Sequence, residues 1–134
     1  MRSILFTVVF LAGCNLQARI DAVKQDIGRT VMDPYHRWEL SSPIDCASKD
    51  LLDSIRLARA VAANFNDLEM RQRSATYQLD IADGALRKSC IDFADVVYRD
   101  VIKIYTGLGY AAHRQRAEIG LADVREARRR VSNL

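Results

Sequence analysis

Apolar residues recur at spacings of three and four along most of the chain, a pattern typical of amphipathic α-helices. The first stripe predicts a helix over residues 15–32 and consists of Leu16, Ile20, Val23, Ile27 and Val31. Asp33 and Pro34 are expected to end this helix, because the residue before a proline avoids the helical region. The stripe is narrow, so the helix either packs on a domain or lies on a membrane surface.

Capping signals and one turn separate the stripes that follow. Ser42-Pro43-Ile44-Asp45 combines a capping serine, a proline at the first helical position and an early acid, which predicts a helix start. Residues 64–67 form the clearest turn, and Asn66 with Glu69 three residues later predicts the cap of the next helix. Ser89 predicts a further cap by the same reasoning.

The most regular stripe follows Ser89, and a weaker one continues toward the C-terminus. The regular stripe consists of Ala94, Val97, Tyr98, Val101, Ile104, Tyr105 and Leu108. Only 2 Pro and 6 Gly occur in the 134 residues, which favours helix over sheet. We therefore predict an all-α fold, a small three- to four-helix bundle whose hairpin bends at residues 64–67.

The N-terminus has a different pattern, in which a charge precedes a short apolar run. Arg2 is followed by the run Ile4–Ala12, which is less than half of the roughly 20 residues that a membrane-spanning helix needs. A charged start and a short apolar segment are typical of a secretory signal. The small residues Ala12 and Gly13 then lead directly to Cys14. An alternative is a buried N-terminal strand that contains an incidental cysteine.

The stretch Leu11-Ala12-Gly13-Cys14 resembles the lipobox of bacterial lipoproteins. This resemblance implies that residues 1–13 are a signal peptide and that Cys14 becomes a first residue carrying diacylglycerol and an acyl chain such as palmitate. Several chains exceed the two signals that stable anchoring requires. It also implies a location in the cell envelope, facing the periplasm, and Asn15 in place of Asp favours the outer membrane.

The remaining cysteines suit this location. Of three cysteines, Cys46 and Cys90 are left once Cys14 carries lipid, and an exported protein usually oxidises such a pair. A hairpin bent at residues 64–67 brings these two thiols together, because its two arms are about equally long. We therefore predict a Cys46–Cys90 disulfide, whereas a cytosolic chain would keep free thiols.

Removal of residues 1–13 leaves 134 − 13 = 121 residues, enough for one domain with a modest core. The expected organisation is a lipidated N-terminus, helix and connector over 14–43, and a helical domain with a basic tail over 44–134. Loss of Arg2 lowers the net charge from +3 to 19 − 17 = +2. So small an excess of positive charge does not indicate a nucleic-acid partner.

Residues with catalytic or metal-binding chemistry are sparse. His36 and His113 lack nearby cysteines or paired acids at metal-ligand spacing, so we predict no metal and no cofactor. The carboxylate pairs Asp80 with Asp83 and Asp92 with Asp95 lie one turn apart, and they are interpreted as solvated helix faces. We predict a non-enzymatic protein, without an evident small-molecule substrate.

Two stretches are candidate binding surfaces. The connector over residues 33–43 carries Tyr35, Arg37 and Trp38, either as exposed contacts or with Trp38 and Leu40 capping the core. Near the C-terminus, Arg128, Arg129 and Arg130 would bind anionic lipid or an acidic protein partner, or else form a solvated helix end.

Together these expectations describe a lipid-anchored helical interaction module of the bacterial envelope that binds a protein partner. Two alternatives are an inhibitor of an envelope hydrolase such as lysozyme, and a plasmid or phage lipoprotein that excludes incoming DNA or promotes lysis.

Overall fold

The computed structural model describes the backbone of residues 2–134 and the side chains of residues 16–134. Within this range the chain is helical and contains no strand, so the predicted all-α class is confirmed. Its helices are α1 (Arg2–Glu39), α2 (Lys49–Asn64), α3 (Leu68–Arg87), α4 (Ile91–Ile104), a short 3₁₀ helix (Leu108–Tyr110) and α5 (Ala111–Ser132).

The chain divides into two compact units, Met1–Thr30 and Val31–Leu134. The larger unit is a bundle of α2–α5 that also includes residues 31–39 of α1. Within it, α3 contacts α2, α4, α5 and the 3₁₀ helix. The connector over residues 33–43, assigned from the sequence to the N-terminal segment, belongs to this larger unit.

Burial in the larger unit follows the apolar stripes. In α2, Leu51, Ile55 and Ala58 are buried. The regular stripe predicted after Ser89 is buried from Ala94 to Val101 and at Tyr105, but Ile104 at the end of α4 is 50% exposed and Leu108 is fully exposed. The stripe of α1 behaves differently, because Leu16, Ile20 and Val23 are exposed, with fractional exposures of 59%, 41% and 51%.

The centre of the bundle also holds a buried polar network. Ser74 of α3 donates to the backbone oxygen of Ala58 at 2.5 Å and contacts the Tyr105 hydroxyl at 2.8 Å. The amide nitrogen of Gln78 donates to both hydroxyls, at 3.2 and 2.9 Å. All three side chains are buried, so these bonds offset the free energy of removing the polar groups from water.

The predicted hairpin is confirmed, since α2 ends at Asn64 and α3 begins at Leu68. Its cap, however, is Asp67 and not Asn66, because the Asp67 carboxylate accepts the amide of Met70 at 3.3 Å. Met70 is buried, and its place in the core determines the register of the first turn of α3.

The prediction that α1 ends at Asp33-Pro34 is wrong, since α1 continues to Glu39. A proline inside a helix removes one hydrogen bond and costs roughly 3 kcal/mol. Tyr35 and Trp38 lie after the proline and are 4% and 1% exposed. Burial of each large side chain contributes roughly 2–3 kcal/mol, which outweighs the cost of the proline.

The predicted helix start at Ser42 is also wrong. Helix α2 begins at Lys49 and is capped by Ser48, whose hydroxyl accepts the amide of Asp50 at 3.3 Å. The preceding loop is held by a tertiary contact, because the Trp38 indole donates to the backbone oxygen of Asp45 at 2.8 Å. The carbonyl of Asp45 therefore accepts a hydrogen bond from a buried side chain and does not form the first turn of a helix.

Ser89 does not cap α4 as predicted but terminates α3 in a left-handed conformation with φ 66°. Its amide donates to the carbonyl of Leu86 at 3.0 Å, and the amide of Cys90 donates to the carbonyl of Ala85 at 2.9 Å. These two bonds form a Schellman motif, in which glycine normally occupies the left-handed position. Cys90 is then the residue that precedes α4.

The predicted disulfide is present, and it joins Cys46 in the loop before α2 to Cys90 at the start of α4. The Cα atoms are 5.4 Å apart and the sulfur atoms 2.03 Å apart. The bond closes the open end of the α2–α3 hairpin.

We predict that Ser89→Gly raises the free energy of unfolding by about 1 kcal/mol, because glycine adopts positive φ without the Cβ penalty. Urea denaturation measures this change. Ser89→Ala is the matched control and should give no gain. Equal stability of the two variants would contradict the assigned strain at residue 89.

We predict that replacing both Cys46 and Cys90 by serine lowers the free energy of unfolding by about 4 kcal/mol, because the unfolded chain loses a restraint across 44 residues. Thermal unfolding of the oxidised protein, with and without reductant, gives the same comparison without mutation. An unchanged melting temperature after verified reduction would contradict the prediction.

Candidate functional site

Two of the candidate binding residues lie in the core. Tyr35 and Trp38 are buried, so their prediction as exposed contacts is wrong. The alternative that Trp38 caps the core is correct, although Leu40 is 83% exposed and does not share this role. The physical reason is that α1 continues past Pro34 and turns both rings toward the bundle.

The three C-terminal arginines lie on the surface beside acidic side chains. Arg128 contacts Asp92 at 2.9 Å and Asp95 at 3.0 Å, both of which belong to α4. Arg129 and Arg130 both contact Glu126, at 2.5 and 3.3 Å.

The side chains of Arg129 and Arg130 are the most accessible of the three, with 70% and 78% of their surface exposed. The excess of positive charge that the tail shows in the sequence is reduced in space, because α4 contributes two carboxylates. Burial acts to raise the pKa of Asp95, but Arg99 and Arg128 hold it below its ordinary value.

A cleft of about 470 Å³ lies at this end of the bundle, next to the disulfide. Its lining mixes the bridge itself with apolar and polar side chains: Cys46, Ser89, Cys90, Ile91, Asp92, Phe93, Arg128, Val131 and Ser132. The left-handed turn at Ser89 and the C-terminal end of α5 together form its walls. This cleft, including Arg128 in its lining, is the disulfide-end surface.

A second cluster, which the sequence did not indicate, is centred on Arg116 of α5. Its guanidinium donates to Asp80 and Asp83 of α3, each at 2.7 Å. The Tyr98 hydroxyl donates to the other oxygen of Asp83 at 2.5 Å. Two shallow clefts of about 280 and 290 Å³ flank this Arg116 cluster. The cluster thus joins α3, α4 and α5.

Two glycines allow the tyrosines near this cluster to approach their neighbouring helices. A Cβ atom at Gly120 would lie 2.3 Å from the Tyr98 ring, and one at Gly84 would lie 1.7 Å from the Tyr35 hydroxyl. Burial raises the pKa of Tyr35 to about 12, and the hydrogen bond and charge of Glu39 add to this. Burial and Asp83 raise the pKa of Tyr98 as well.

These groups hold one another in place. Asp83 accepts from both Arg116 and Tyr98, and Asp80 accepts from Arg116. Tyrosines whose pKa is raised remain protonated at neutral pH and donate hydrogen bonds, so they do not act as bases. The hydrogen bonds and ion pairs of this arrangement therefore join three helices to one another.

The sequence spacing showed Asp80 and Asp83 on one face of a helix but could not identify their partner, because Arg116 lies 33 residues from Asp83. The one available signal was the pair of glycines, Gly84 and Gly120, inside otherwise regular stripes. A glycine in a helical stripe often marks the close approach of a neighbour.

The two histidines lie in different places. His36 contacts Glu39 at 3.5 Å on the surface, and His113 contacts the Thr76 hydroxyl at 3.0 Å. Among residues whose side chains are described, no group of three or more His, Cys, Asp or Glu is placed to hold a metal ion.

Cys14, the expected lipidation site, lies outside the residues whose side chains are described. None of the helices in the described part of the chain is both long enough and apolar enough to cross a membrane.

Comparison of the chain with protein-family models, with curated proteins and with solved structures gives no match.

We predict that stability falls as the pH decreases below about 6.5, in part because of His113. Burial lowers the pKa of His113, and the charge of Arg116 adds to this, so the unfolded chain binds a proton that the folded chain resists. The contribution of neutral His113 to the free energy of unfolding is therefore complete above the pKa that this residue has in the unfolded chain. It is lost as the pH falls toward the lower pKa of His113 in the folded chain.

Urea denaturation of the unaltered protein and of His113→Gln between pH 5 and 7.5 checks this prediction. The variant should show a shallower decrease in the free energy of unfolding over this range. Parallel pH profiles would contradict a contribution from His113.

Proposed function

We propose that this protein is a lipid-anchored helical interaction module of the bacterial cell envelope, held by an acylated Cys14 and facing the periplasm. It has a non-catalytic role and binds a protein partner through the surface of the Val31–Leu134 unit. Outer-membrane placement is favoured by Asn15 after the lipidated cysteine.

The observation that carries the anchor is the pairing of the cysteines. The chain contains three cysteines, and two of them form the Cys46–Cys90 disulfide. A disulfide suits an oxidising compartment such as the periplasm. The third cysteine, Cys14, is the one that follows the short apolar run and the small residues Ala12 and Gly13. The bond and the lipobox thus support the same compartment.

The disulfide-end surface is the proposed contact for a protein partner. Val131 lines the cleft with an apolar side chain that is 59% exposed, and Arg128, 42% exposed, lies in the same lining. Arg129 and Arg130, 70% and 78% exposed, follow Arg128 on the same helix. An arginine beside an apolar position is common in protein interfaces, since the guanidinium combines charge with a flat apolar face. The bridge between Cys46 and Cys90 forms part of the lining of this cleft.

We predict that metabolic labelling with a fatty acid marks the protein and that Cys14→Ser abolishes both the label and membrane retention. Cys46→Ser and Cys90→Ser are matched controls that remove a different thiol and should keep the label. An unlabelled, unretained wild-type protein would refute the anchor.

Capture of partners from detergent-solubilised membranes then tests the interaction role. Recovery of an envelope hydrolase would favour the alternative of an inhibitor, and recovery of a DNA-transfer or lysis component would favour the plasmid or phage alternative.

A further inference from the structure

The unpartnered apolar face of α1 lies in the smaller unit, Met1–Thr30. Leu16, Ile20 and Val23 are more than two-fifths exposed, and Ile27 continues the same row with partial exposure. Their spacings are four, three and four, which are the spacings of the two apolar positions, a and d, in a coiled-coil heptad. Ile20 and Ile27 take the a positions, and Leu16 and Val23 take the d positions.

The charges beside this row distinguish between orientations of a second helix. In this register Arg19 and Asp26 occupy g positions and Lys24 occupies an e position. Two parallel copies would place each Arg19 beside the other copy's Lys24, which is a repulsive contact. Two antiparallel copies would instead place each Arg19 beside the other copy's Asp26. Because such a pair is two-fold symmetric, this favourable contact occurs twice.

The same antiparallel register matches the apolar positions. Ile20 packs beside the other copy's Val23, and Leu16 packs beside the other copy's Ile27. Each pairing recurs through the two-fold axis, so the contact is closed and does not propagate into a filament.

We infer that α1 associates with a second copy of this chain as an antiparallel helix pair over residues 16–27. This inference goes beyond the proposed function and does not require the lipid anchor. An interface of two heptads is short, so association is concentration-dependent. Anchoring both copies to one membrane would raise their effective concentration.

The test uses the full chain in cells, with a photoreactive amino acid at one position and two differently tagged copies expressed together. A probe at Val23 should cross-link the two copies after irradiation. A probe at Gln25, which lies on the opposite side of the helix, is the matched control and should give little cross-linked product. The Cys46–Cys90 bond, verified in each sample, shows that the larger unit has folded.

Charge reversal then tests orientation. Arg19→Asp or Asp26→Arg alone places like charges together twice, so each should lower the cross-linked yield from position 23 by about tenfold. The double variant R19D/D26R restores opposite charges and should recover the yield. A parallel pair would not show this recovery, because there Arg19 and Asp26 do not face each other.

Three outcomes would overturn the inference. These are equal yields from positions 23 and 25, no recovery in the double variant, and adducts at position 23 only with lipid or with a different protein. Loss of the fatty-acid label in Cys14→Ser bears on the anchor alone, since the charge-reversal pattern is expected to persist in that variant at high expression. The two proposals therefore fail separately.

Discussion

Helix α3 must pack against several neighbours at once, and this constraint shapes the larger unit. It contacts α2, α4, α5 and the 3₁₀ helix, so little of its surface is left for water. A helix enclosed in this way needs small residues where its neighbours approach and satisfied partners for its polar groups. Ala75, Ala82 and Ala85 meet the first need. Ser74 and the amide nitrogen of Gln78 meet the second by bonding to one another and to Tyr105, whereas the side-chain oxygen of Gln78 has no partner among the described residues.

Two kinds of bond join the C-terminal half of α3 to its neighbours. At its C-terminal end, the left-handed turn at Ser89 directs the chain into Cys90, whose disulfide reaches back to the loop before α2. Along its side, Asp80 and Asp83 accept from Arg116, and Asp83 also accepts from Tyr98. A covalent bond and an ionic network therefore restrain the same helix.

Folding reduces the net positive charge around the arginines near the C-terminus. As a linear stretch, residues 111–134 carry six arginines against three acids. In space, Asp92 and Asp95 of α4 lie beside Arg128, whereas Arg129 and Arg130 share Glu126 within their own helix. The arginines of this stretch that remain exposed are Arg125, Arg129 and Arg130. A partner would meet a smaller and more defined basic patch than the sequence suggests.

Local periodicity and the equal arms of the hairpin were sufficient to predict the helical class, the bend at residues 64–67 and the Cys46–Cys90 bond. These features depend on spacing along the chain. The helix boundaries at Pro34 and Ser42 were decided by tertiary structure, because the burial of Tyr35 and Trp38 and the Trp38 contact with Asp45 outweigh local preference. The boundary at Ser89 follows from the left-handed turn that ends α3, a conformation that serine rarely adopts. The Arg116 cluster also depends on tertiary structure, since its partners come together only after three helices have packed.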